Sequence, residues 1–149
     1  MDYVALHTEL TTDPLAVGYA AQLGKSDIAV AALLNATTGA GAATISLTSL
    51  THDAFAMLIA PVVMSMSIAS AALQAKWTPM LQLIGGISSV DLTPANLGLI
   101  NALSTDFPAQ LPATAITAVT TRMGSRAEVL FGLGTVVQWQ DVAKAMGRM

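Results

Sequence analysis

The sequence contains no cysteine. That absence excludes disulfides, thiolate metal sites and cysteine nucleophiles, and it leaves the compartment open. Charge is nearly as scarce. Only 10% of residues are charged, against about 25% in ordinary soluble domains. A monomer so poor in charge has few polar groups with which to cover its surface. Either the chain sits in lipid, or much of its surface meets other protein. The formal net charge is −3, and the six basic residues (Lys25, Lys76, Arg122, Arg126, Lys144, Arg148) are scattered. Without a basic face to neutralise phosphates, nucleic acid is not an expected partner. The opening MDYVALHTEL has no basic n-region and is not expected to act as a secretory signal.

Reactive motifs are also missing. QLGKS (22–26) resembles the end of a phosphate-binding loop, but G-x-x-x-x-G-K-[ST] needs glycine at position 19, where the chain has Tyr19. Gly132-x-Gly134 lacks the third glycine of a dinucleotide loop and lies too near the C-terminus for a βαβ unit. His7 and His52 have no helical partner for a metal, and each reads as an exposed or capping residue. No serine sits in a G-x-S-x-G elbow, and the nine acidic residues are spread along the chain. The sequence therefore points away from an enzyme and calls for no cofactor, metal or small-molecule substrate. A small enzyme or regulator ranks last among the possibilities.

Turn and cap residues predict several short helices. Tyr3, Leu6, His7 and Leu10 recur at helical spacing. Thr12 or Asp13 followed by Pro14 predicts a second helix to about Leu23, stopped by Gly24. Ser26 or Asp27 opens another through Asn35. TTGAGAA (37–43) is small and flexible in composition, and is the best candidate for a waist between a small N-terminal helical region and a main bundle. TISLTSL (44–50) suggests a short extended piece. Thr78-Pro79, Thr93-Pro94 and Leu111-Pro112 predict helices at about 79–84, 94–104 and 112–123, with Gly85-Gly86 as a break. Ser125 and Glu128 fit a capping box opening a helix through Phe131. An extended piece at 135–137 and a helix over 138–146 complete the chain. The expected fold is a mainly α single domain, residues 1–149, built around one long apolar kinked helix at about 53–76.

That long segment, AFAMLIAPVVMSMSIASAALQA (54–75), holds no charge. Its length suits a bilayer span. Ser65, Ser67, Ser70, Gln74 and Pro61 count against one, and the flanking charges give little orientation bias. Small residues four apart (Ser65/Ala69, Ser67/Ala71, Ala71/Ala75) permit close helix packing in lipid or in protein. A buried or interfacial helix is the preferred reading, with a membrane span as its alternative. Met57, Met64 and Met66 are adaptable contact residues, and Trp77, Phe131 and Trp139 join them as interface candidates.

The two ends carry a resemblance. Leu6, Glu9, Leu10, Thr12, Asp13, Pro14, Gly18, Tyr19 and Ala20 match an opening of the type L-x-x-E-L-x-T-D-P-x-x-x-G-Y-A. Ser125 to Glu128, Gly132, Gly134 and Asp141 to Ala143 match the corresponding close. In these segments the chain resembles small proteins encoded among the virion-structure genes of tailed bacteriophages; the middle is unmatched. The resemblance implies a non-enzymatic virion component, assembled in the host cytoplasm. Its expected roles are capsid cement, minor capsid protein or neck and tail connector, and its expected partners are other virion proteins and copies of itself. The membrane alternative corresponds to a holin-like phage protein with its span at 54–75.

Overall fold

The computed structural model describes residues 1–84 and 88–149. The expected break at Gly85-Gly86 lies outside the described residues. The fold is mainly helical, with eight α-helices and two small two-stranded sheets among the described residues. The sequence reading expects one domain with a waist at 37–43. The chain divides into two compact units, residues 1–45 with 123–149, and residues 46–122. The passages between them fall in strands β1 (Ala43–Ser46) and β4 (Thr121–Gly124), which pair with each other.

The first unit joins the two ends of the chain. Helix α1 (Tyr3–Thr12) starts at Asp2, whose carboxylate accepts from the Val4 and Ala5 amides, and buries Leu6 and Leu10. The helix expected from Pro14 to Leu23 does not form; only a 3-10 turn at Tyr19–Ala21 is present. The Asp13 carboxylate explains this. It accepts from the amides of Val17 (2.7 Å), Gly18 (2.8 Å) and Tyr19 (3.2 Å), giving the backbone a local alternative to a helix. Gly18, at φ 97°, supplies the left-handed step. Helix α2 (Asp27–Asn35) is capped by Ser26 as expected. Ser125 and Glu128 form the expected capping box on α7 (Arg126–Phe131), and α8 (Trp139–Ala145) follows. Residues 135–137 form no strand. The Asn35 side-chain amide takes the role of a neighbouring strand, donating to the Val137 carbonyl (2.7 Å) and accepting from its amide (2.9 Å). Leu6, Leu10, Tyr19, Val30, Leu34, Val137 and Val142 form the core.

The second unit is one continuous stretch. It contains β2 (Ser49–Thr51), α3 (His52–Ser65), α4 (Ala71–Ile84), β3 (Ser89–Asp91), α5 (Pro94–Asp106) and α6 (Ala113–Thr120). Strands β2 and β3 pair antiparallel, with Leu50 opposite Val90, and both side chains enter the core. The expected extended piece at 44–50 is thus split between two sheets.

The long kinked helix is overturned. Helices α3 and α4 are separate, divided by a 3-10 turn at Met66–Ile68 and an extended Ala69. The Gln74 amide donates to the carbonyls of Met66 (2.9 Å) and Ala69 (3.0 Å), so polar groups freed by the break find a partner inside the segment. Pro61 and Pro79 both lie within helices. Each lacks the N–H that would reach the residue four back. Those residues, Met57 and Ala75, face solvent, where water can serve the freed carbonyl. The helix predicted from 79 therefore starts at 71, and the one predicted over 112–123 ends at Thr120, its last residues becoming β4. No helix among the described residues is long and apolar enough to cross a membrane.

Candidate interaction surface

Helix α3 starts where the Thr51 hydroxyl accepts from the Ala54 amide (3.2 Å). Its inner face follows from spacing: Phe55, Leu58, Ile59 and Val62 recur every three or four residues and are buried. Its outer face is also apolar. Met57 is 79% exposed and Met64 80%, and in the following turn Ile68 is 88% exposed. Ala60 and Pro61 lie exposed between them. A helix apolar on both sides needs burial on both sides, and unit 2 covers only one.

Beside this face runs an open groove of about 470 Å³, walled by Ala54, Met57, Leu58 and Pro61 of α3 and by Ala115, Ala118 and Val119 of α6, with Gln110 at its edge. No charged side chain lines it. Asp53, its carboxylate 96% exposed, stands at the N-terminal end of α3. A neutral, apolar, solvent-facing recess can exclude water from a contact, but it holds no acid, base or nucleophile for chemistry.

The six interface candidates divide between the two units. Met57 and Met64 share the outer face of α3. Met66 is half-buried against the unit 2 core. Trp77 is 1% exposed and is a core residue, so it cannot anchor a partner. Its indole Nε1 donates to Asp106 Oδ2 (2.7 Å), and Lys76 Nζ donates to the same oxygen (2.6 Å). Both bonds favour the carboxylate and hold Asp106 below its ordinary pKa. Phe131 and Trp139 belong to the other unit. Phe131 is half-buried there, and Trp139, at the start of α8, is 44% exposed. Pro61, Ile68 and the alanines of the groove escaped the sequence reading. The spacing 57, 61, 64, 68 was the available signal, hidden because the whole segment is apolar.

Unit 1 holds a buried polar cluster that sequence reasoning also missed. Glu9, 4% exposed, accepts two bonds from Arg126, Nε to Oε1 at 2.8 Å and Nη2 to Oε2 at 2.7 Å. The Tyr19 hydroxyl points at Glu9 Oε1 from 3.4 Å. Burial, and then the nearby Glu9 carboxylate, push the Tyr19 phenol well above its ordinary pKa. Glu9 and Asp13 stand four residues apart, a spacing that would pair them on a continuous helix. Here α1 ends between them, Arg126 takes one and backbone amides the other, so they form no catalytic pair.

The histidines belong to different units. His7 Nδ1 donates to the Ala145 carbonyl (3.0 Å), and His52 lies beside Asp53 (3.4 Å). Among the described residues no group of three His, Cys, Asp or Glu side chains is placed to hold a metal ion.

Compared with models of protein families, with curated proteins and with solved structures, the chain matches none.

Proposed function

We propose that the protein is a non-enzymatic structural component of a tailed-phage virion, working through contacts with other virion proteins and with copies of itself. The observation that carries this reading is the bare outer face of α3 and of the turn after it, where Met57, Met64 and Ile68 stand in solvent with no charge among them. Large uncovered apolar surface of this kind marks a place where protein meets protein. The resemblance at the two ends of the chain supplies the setting, and those ends fold together in one unit. Capsid cement, minor capsid protein and neck or tail connector all fit such a part. No specific observation favours the holin-like alternative, since the 54–75 segment is broken at 66–69 and no described helix is long and apolar enough to span a bilayer.

Mass spectrometry of purified particles tests the proposal. The protein is expected at a stoichiometric level. Repeated absence from clean particles would remove the reading.

A further inference from the structure

We infer that the outer face of α3 is covered by a second copy of this chain, the two α3 helices packing antiparallel about a two-fold axis at Ala60–Pro61. The inference rests on reading that face as an interaction surface and names its occupant.

A two-fold contact uses the same patch on both copies, so the patch must complement itself. This one does. Its C-terminal end carries the projections, Met64 and Ile68, exposed by 80% and 88%. Its N-terminal half flanks the groove, lined by Ala54, Met57, Leu58 and Pro61 of α3 and, across from them, by Ala115 and Ala118 of α6. Reversal about 60–61 sets Met57 of one copy against Met64 of the other, and the alanine recess of one against Ile68 of the other. The exposed Ala60 falls at the crossing point, where a small side chain lets helix axes approach closely. Methionines adapt to the remaining gaps.

Charge points the same way. The recess and its ridge hold no charged side chain that would call for an acidic or basic partner. The only nearby charge on α3 is Asp53, at its N-terminal end. In the antiparallel pair the two Asp53 carboxylates lie about 22 Å apart at 1.5 Å per residue, beyond the Debye length of roughly 8 Å at physiological salt. Self-pairing therefore keeps the two Asp53 carboxylates apart, each on the rim, where polar groups normally lie.

The absence of cysteine makes the test clean. Single-cysteine variants Ala60→Cys, at the axis, and Ile28→Cys, exposed in the other unit, are oxidised mildly at micromolar concentration. Sedimentation equilibrium is run in parallel on the unmodified chain and on Met64→Lys. The expected result is a dimer, fast disulfide capture of Ala60→Cys but not of Ile28→Cys, and dissociation at least about tenfold easier in Met64→Lys, with unchanged circular dichroism. A chain that stays monomeric at high concentration overturns the inference, whether or not it binds phospholipid vesicles. A dimer indifferent to Met64→Lys, or one that captures Ile28→Cys equally well, overturns it too. Particle composition is measured independently, so a monomer found at stoichiometric level in virions would sink the self-pairing and leave the virion role standing.

Discussion

The two units are built by different physics. Unit 1 draws its residues from both ends of the chain and holds ten of the fifteen charged side chains. Polar bonds tie its segments across more than a hundred residues. Glu9 meets Arg126, Tyr3 donates to Asp141 (3.1 Å), Asn35 clasps Val137, and Arg148 pairs with Asp27. Unit 2 is a single run with five charged residues, held mainly by the apolar cluster of Phe55, Ile59, Val62, Trp77, Leu103 and Leu111. The contrast teaches how each kind of cohesion uses the chain. Directional polar bonds hold segments from opposite ends of the chain in unit 1. Apolar burial holds unit 2 through residues of one continuous stretch, and both units leave large apolar side chains in solvent, among them Val4 and Ile28 of unit 1 and Met57 and Met64 of unit 2. Each unit also contains one tryptophan, Trp77 in unit 2 and Trp139 in unit 1, so fluorescence can follow them separately.

The largest effect should come from Trp77→Ala. It empties the centre of unit 2 and strips Asp106 of one donor, costing about 3–5 kcal/mol. In denaturant titrations, far-ultraviolet circular dichroism should show an early loss of helix as unit 2 unfolds, while the remaining tryptophan, Trp139, reports an intact unit 1. One common transition, shifted equally for both units, would break the comparison.

A somewhat smaller loss, roughly 3 kcal/mol, is expected from Glu9→Ala, because it leaves the half-buried Arg126 guanidinium without its carboxylate. Replacing both partners with methionine should recover much of that loss. If the double variant is no better than the single one, the cluster does more than neutralise itself, and unit 1 is not held as described.

The smallest effect concerns pH. Lys76 and Trp77 lower the Asp106 pKa from its ordinary 3.8. A carboxyl group with a lowered folded pKa stabilises fully above its unfolded value, and loses that contribution as pH falls through the folded one. Unit 2 should therefore lose this increment only below about pH 4, and Asp106→Asn should differ from the unmodified chain at neutral pH more than in acid. A difference that stays constant with pH would mean that the bonds to Asp106 do not depend on its charge.

Particular residues show what could be read in advance. Ser26, Thr51, Thr93 and Ser125 accept from the amides of their own helices, and such caps are legible because donor and acceptor lie three residues apart. The failures share the opposite property. Asp13 matches a cap before a proline, yet its carboxylate turns to Val17, Gly18 and Tyr19. Pro79 matches a helix start, yet α4 runs through it because Ala75 faces solvent. The break at 66–69 contains neither glycine nor proline. Of the candidate site, the methionines were legible by type, whereas the difference between Met57 and Met66 is one of burial.

By itself the sequence determined what depends on local spacing and on composition: a mainly helical chain, most of its helix starts, and a shortage of charge that leaves apolar surface to be covered. Tertiary structure alone decided which apolar residues are covered. It put Trp77 inside and Met64 outside, joined Glu9 to Arg126 across 117 positions, and split the chain into two units. The physical reason is that burial and long-range ion pairs depend on how segments pack against one another, and a uniformly apolar stretch carries no mark of which side its neighbours will take.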